Sequence, residues 1–410
     1  MALYADAQRI MRAALDAALP DAAVARALER ARFGGGRIVL VAIGKAAWQM
    51  ASTACALLGE RISHGVVITK YGHAMGELQH MRLFEAGHPV PDANSLRAAD
   101  AAIDAVRGLR AEDTVLFLVS GGGSALFEKP LISLEELEDV TQQLLACGAN
   151  IVELNTVRKR LSAVKGGRFA QLCEPARVFS IVLSDILGDP LDMIASGPAF
   201  PDQSTGEQAL AIVGKYGLCI SEMVRALLTR ETPKRLDNVV TEITGSVSQL
   251  CNAAREECLR LGYAPHVLTD RLCCTARDAG SFLASIARFH SGAAHSVAYI
   301  AGGETVVELK GNGKGGRNQE IALGAVEGIA GLENVAVFSI GSDGTDGPTD
   351  AAGGYVDGTT AHRMAERGVD VQAHLRNNDA YAALDAVGGL IKTGPTGTNV
   401  NDLSVVLIRR

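Results

Sequence analysis

Four short, almost unbroken apolar runs do most to limit what this chain can fold into. They are RIVLVAI at 37–43, TVLFLV at 114–119, RVFSIVL at 177–183 and VAVFSI at 335–340. A strand that is apolar on both sides must be covered on both faces, and the usual solution is a parallel sheet under helices. Each run ends in a glycine-rich or charged turn: Gly44-Lys45, SGGGS at 120–124, Ser184-Asp185 and GSDGTDGPTD at 341–350. In such a sheet, ligands gather at the C-terminal ends of the strands, where these turns lie. Apolar residues make up 48% of the 410 residues but aromatics only 4%, so the cores are built from Ala, Val, Ile and Leu, as in layered α/β proteins.

Composition also excludes partners. A net charge of −7 argues against a general nucleic-acid binder. The eight cysteines form no C-x-x-C pair, and adjacent Cys273 and Cys274 suit neither a zinc site nor an ordinary disulfide. Cys251 and Cys258 fall on a helical run and read as buried apolar positions. The chain shows no basic-then-apolar leader and no apolar run near the ~18 residues of a membrane span, so a cytoplasmic protein without a membrane partner is expected.

Helical spacing at 4–30 is split by Pro20, and further helices are expected at 45–58, 94–108, 134–146 and, with a break at Gly166-Gly167, 155–170. A second strand is expected at 66–69, followed by a loop to Pro91. The polar stretch 218–238 reads as the link between domains 1–235 and 236–410. After it the alternation restarts, with strands at 239–243, 265–268, 296–300, 305–310 and 403–408 and helices at 249–261, 275–289, 318–329 and 379–387.

The densest chemical signal is GNGKGGRNQE at 311–320. Its glycines admit close backbone approach, and Lys314 and Arg317 bring positive charge to a helix start whose N–H groups favour anions. Gly313, Lys314, Gly315, Gly316 and Asn318 are therefore candidate anion-binding residues. The stretch also fits G-x-G-x-x-G, but no G-x-x-x-x-G-K-[ST] occurs, so a P-loop is excluded. The turn Ser120, Gly121, Gly122, Gly123, Ser124 could form a second nest of N–H groups, and it is not a nucleophile elbow. Lys45, at a helix start, faces the unfavourable end of the helix dipole, which suggests an anionic neighbour. Asp343 and Asp346 in a glycine loop suit Mg²⁺, which takes one or two carboxylates plus phosphate oxygens. Asp189 or Asp185 could accept or orient a hydroxyl proton, and the basic helix carrying Arg158 and Lys165 could supply ligand-facing cations. Acidic loops beside anion cradles fit phosphoryl transfer better than hydride transfer.

The blocks GKAAWQMA, SGGGSALF, NTVRKRLSAVKGGR, SDILGDPLDMIASGP, GGETVVELKGNGKGGRNQE, GSDGTDGPTDAAG and GPTGTNVNDL resemble the glycerate 2-kinase family, whose C-terminal part is the MOFRL domain. The resemblance runs nearly end to end. It implies an N-terminal Rossmann-like or flavodoxin-like domain with a parallel sheet between helices, a smaller C-terminal α/β domain, and an active site in the cleft between them. It also implies transfer of the γ-phosphoryl group of ATP to the 2-hydroxyl of D-glycerate, with Mg²⁺. Lys45 and Arg317 correspond to residues regarded in the family as part of the active site, and Asn155 and Glu304 fall within matching blocks as candidate ligand contacts. Arg160 stands where the basic helix of the family usually has a histidine, which puts substrate contact there in question. A homodimer is left open. Two other readings remain: an NAD(P)H-dependent hydroxypyruvate reductase, since some relatives carry that name, and a non-catalytic sugar-acid or nucleotide binder. The sequence offers the reductase no obvious catalytic histidine.

Overall fold

The computed structural model describes residues 2–184 and 191–410. The chain divides into two units, one of Met1–Ala22 with Gly245–Arg410 and the other of Ala23–Ser184 with residues 191–244.

In the second of these units the strands are β1 (Ile38–Ile43), β2 (Ile62–Lys70), β3 (Met81–Ala86), β4 (Thr114–Val119), β5 (Arg177–Leu183) and β6 (Val239–Gly245), the last running just past the unit's end. They line up as β3-β2-β1-β4-β5-β6, and the pairings among β1 to β5 are parallel. This is the Rossmann strand order, with the topological switch point between β1 and β4. Helices Pro20–Arg30 and Ala47–Leu58 contribute Ala23, Val24, Met50 and Ala54 to a core shared with Leu40, Leu116 and Ile181. β3 occupies a segment expected to be loop. Arg82 and Glu85 interrupt its apolar pattern because it is an edge strand, half-exposed along most of its length. The stretch 218–238 is not a bare link: its helix Glu222–Leu228 buries Val224, Leu227 and Leu228 against Leu137, Val157 and Ile212.

The other unit holds β7 (Ala264–Leu272), β8 (Val297–Gly303), β9 (Val335–Gly341), β10 (Gly353–Asp357), β11 (Leu390–Ile391) and β12 (Asp402–Ile408), in the order β11-β10-β9-β12-β8-β7. Alternation had implied parallel pairing, but only β7 and β8 are parallel. β12 runs antiparallel to both β8 and β9, and β10 antiparallel to β9. The glycine-rich β10 carried little strand signal, and without it the direction of the sheet was not legible. Residues expected to continue the strand at 305–310 do not: the segment keeps one isolated bridge, Thr275 to Val306, and then leaves the sheet. Side chains alternate across this sheet. Val297, Val337 and Val406 face helices Ala276–Phe289 and Arg317–Ile329, while Ile300, Phe338 and Val405 face helices Ala2–Ala18 and Val247–Arg260. The helix Ala2–Ala18 thus belongs with the C-terminal strands, through Ala7, Ile10, Met11 and Ala14, which departs from a single cut near residue 235.

Candidate active site

At the switch point of the Rossmann-type sheet, the turns after β1 and β4 are stitched together. The Lys45 amide donates to the Gly121 carbonyl at 2.9 Å and the Ala46 amide to Ser120 Oγ at 3.1 Å. Gly44 has φ +113°, and a Cβ there would lie 2.2 Å from Ser120 Oγ, so only glycine permits this approach. Gly122 has φ +86°, and its position is flanked by the Lys45 stem and the ring of His88. Lys45 itself is exposed at the strand end.

Beneath this turn the polar groups are fixed from inside. Lys165, fully buried, donates to the carbonyls of Ser124 at 2.7 Å and Phe127 at 3.1 Å and lies 3.4 Å from buried Glu128. Burial pushes the Lys165 ammonium down to about 8. Arg158 reaches the Ser124 carbonyl at 3.5 Å and Glu128 at 3.7 Å. Ser124 Oγ pairs with Ser196 Oγ at 2.9 Å, and Ser196 donates to Asn155 Oδ1 at 2.9 Å. Ala195 and Ser196 both adopt left-handed backbone, φ +52° and +61°, which costs of order 1–3 kcal/mol each and concentrates strain beside the turn. Lys165 and Asn155 thus shape the turn from below. Arg160 is wholly buried and donates to the Thr156 carbonyl at 2.9 Å and Ser204 Oγ at 2.8 Å, so it braces its own helix. Asp185 and Asp189 lie outside the described residues.

In the other unit the glycine-rich stretch 311–316 lies ahead of helix Arg317–Ile329, but the amides of its first four residues are already engaged. Those of Lys310 and Gly311 donate to Asn378 Oδ1 at 2.7 and 2.9 Å. Gly313 donates to the Asn377 carbonyl at 2.8 Å and Lys314 to Asp379 Oδ1 at 3.1 Å. At the helix start, Asp346 accepts from the amides of Asn318 at 3.1 Å and Gln319 at 2.8 Å. A protein carboxylate therefore fills the anion position that the helix dipole favours. Gly316 makes room for it, since a Cβ there would lie 2.3 Å from Asp346 Cγ. Burial raises Asp346 to about 6. The Asn318 side chain is fully buried and accepts from Ser339 Oγ, and Lys314 lies over the Tyr381 ring, 4.5 Å from its centroid.

The Arg317 guanidinium in this unit is half-buried and held by carboxylates. It donates Nε and Nη2 to the two oxygens of Asp402 at 2.5 and 2.9 Å, and Nη1 lies 3.6 Å from Glu304. Bonding to Asp402 raises the affinity of Arg317 for its proton, while burial pushes Asp402 up against the opposing pull of the guanidinium. Asp402, at the first position of β12, was not singled out from the sequence; the only hint was its place between a glycine-rich loop and an apolar run. Asp343, half-exposed, accepts from the Thr345 amide at 2.9 Å with one oxygen, and its carbonyl accepts from the Thr396 amide at 3.1 Å. Among the described residues no three His, Cys, Asp or Glu side chains converge as a metal site. Both oxygens of Asp346 accept helix amides, which fits it poorly as an open metal ligand. Asp343 alone is compatible with an ion held mainly by phosphate oxygens.

One unit thus carries Lys45 on a Rossmann-type switch-point turn, and the other carries an arginine anchored by a carboxylate; each is a part suited to holding an anion. Residues 6–229, more than half of the chain, match a domain of unknown function, DUF4147, and residues 297–402 match the MOFRL family; the chain belongs to the DUF4147 family. It is 51% identical over 97% of its length to a D-glycerate 2-kinase of Thermotoga maritima, 97% of which is covered. A crystal structure of a glycerate kinase from the same organism superposes with a TM-score of 0.96 at 50% identity, covering 99% of each chain. A putative hydroxypyruvate reductase of Agrobacterium vitis is 40% identical, over 98% of this chain and 93% of that one.

Proposed function

We propose that this chain is an ATP-dependent glycerate 2-kinase, forming 2-phosphoglycerate and ADP from D-glycerate. The observation that carries the reading is the bidentate anchoring of Arg317 by Asp402, with full-length similarity to a D-glycerate 2-kinase beside it. A guanidinium held in one orientation meets charge developing on a transferring phosphoryl group without reorganising. Lys45, exposed at the end of β1, binds the carboxylate of the acid. Asp343 would hold Mg²⁺ together with the nucleotide phosphates, and the ion would supply charge neutralisation at the β- and γ-oxygens.

The reductase reading draws on the names of two relatives. Against it stands the G-x-G-x-x-G stretch, whose amides at Gly311, Gly313 and Lys314 are taken up by Asn378, Asn377 and Asp379. A pyrophosphate would find few donors there. Purified protein with ATP, Mg²⁺ and D-glycerate should release ADP only when all three are present, and NADH with hydroxypyruvate should stay unchanged. NADH loss without glycerate-dependent ADP would replace the kinase by the reductase; binding without either would leave a non-catalytic protein.

A further inference from the structure

The reaction just proposed requires a group to take the proton of the attacking hydroxyl, and the sequence offered only Asp189 and Asp185. The switch-point turn supplies another. His88 follows β3, and its ring lies against the position of Gly122: a Cβ there would sit 3.1 Å from His88 Cδ2, 3.2 Å from Nε2 and 3.2 Å from Lys45 Cγ. The imidazole and the Lys45 stem thus border the same residue of the turn after β4. His88 is half-buried, and among the described residues nothing hydrogen-bonds its ring.

Among the described residues, the charged and titratable groups that face it are Lys45 after β1, Lys70 at the end of β2, and His73. Burial first, and then these three groups, lower the affinity of His88 for a proton. Near neutral pH the ring is therefore uncharged and able to accept. Among the described residues no ion pair pins it, unlike the cations beneath the turn. His73 is more exposed, and its Nδ1 lies 3.2 Å from the Lys45 carbonyl, which makes it a natural control.

We propose, resting on the kinase reading, that His88 is the catalytic base of this chain. The hydroxyl oxygen of the substrate forms a bond to the γ-phosphorus as the bond from that phosphorus to the bridging oxygen of ATP breaks. ADP leaves with the electron pair, and the hydroxyl proton passes to the His88 imidazole and then to solvent. In a loose phosphoryl-transfer transition state the hydroxyl keeps its proton until late, so a modest base beside two lysines is adequate.

The test measures ADP release from pH 5 to 9 for wild type, His88→Gln and His73→Gln with D-glycerate and Mg²⁺-ATP. His88→Gln should lower kcat by ~10²–10⁴-fold with KM for glycerate changed by less than about threefold, and should lose the acid limb of the kcat/KM profile. His73→Gln should keep both. A His88→Gln enzyme whose kcat stays within about threefold of wild type, or which retains the acid limb, overturns the assignment. Should circular dichroism show His88→Gln to be unfolded, His88→Asn and the wild-type profile decide: absence of an acid limb in the wild type is then the overturning result. A wild type with no glycerate-dependent ADP release overturns the kinase reading and this inference with it; normal wild-type turnover with an undiminished His88→Gln overturns only the role of His88.

Discussion

The two glycine-rich turns of this protein look alike as strings and are used in opposite ways. At Ser120–Ser124 the anchoring comes from below and acts on carbonyls: Lys165 and Arg158 both reach the Ser124 oxygen. The outer surface is left to side chains such as Lys45 and His88. At 311–316 the anchoring acts on amides, through Asn377, Asn378 and Asp379, and Asp346 closes the helix start that follows. There the backbone has little left for a ligand, and the group on offer is the Arg317 side chain. Glycine content before a helix signals close approach, but what approaches can be another part of the same protein.

The sharpest way to break this contrast is Arg317→Ala. If the side chain rather than the glycine backbone meets the phosphoryl group, kcat for glycerate phosphorylation should fall by on the order of 10³-fold. Arg317→Lys should restore little, because an ammonium cannot reproduce the two-pronged bond to Asp402. A near-normal rate in Arg317→Ala would hand the role back to the backbone.

A smaller effect is expected at Gly316, where an added methyl collides with Asp346. Gly316→Ala should lose about 1–3 kcal/mol in urea unfolding, whereas Gly214→Ala, inside helix Gly206–Tyr216 with open space around it, should gain up to ~1 kcal/mol. Equal responses would mean that the cap is not held tightly.

The smallest effect is in pH dependence. Asp346 titrates at about 6 in the fold, above the ordinary carboxylate range, so the native chain holds a proton that the unfolded chain has already released. Its ionisation thus costs stability as pH rises from about 4 to 6, and the cost is fully present above that window. Asp346→Asn cannot ionise. Relative to wild type it should become more stable by on the order of 1 kcal/mol between pH 4 and pH 7, read from urea midpoints. A flat difference would contradict the burial of this carboxylate at the helix start.

What could be read from the sequence follows from local chemistry. The apolar runs located β1, β4, β5 and β9, and the turns after them held the residues worth naming. The partners of those turns were not legible. Asn377, Asn378 and Asp379 meet 310–314 across more than sixty residues of chain, and nothing in either segment announces the other. Asp402 and His88 were passed over for the same reason: each lies in an ordinary loop or strand start, and its meaning comes from what the fold brings beside it. Arg160, which stood out as a departure from the family pattern, is an internal brace.

The docking of helix Ala2–Ala18 on the C-terminal strands has a consequence in time as well as space. Roughly 230 residues separate its end from the helix Val247–Arg260 beside which it packs, or about 10–50 s of synthesis at 5–20 residues per second. Through that interval the stripe Ala7, Ile10, Met11 and Ala14 has no sheet to cover, and the sheet itself lacks β12, the strand between β9 and β8. The Rossmann-type strands β1 to β5 are complete well before. The unit that carries Arg317 therefore closes last on the ribosome, and the amphipathic helix Ala2–Ala18 waits for it.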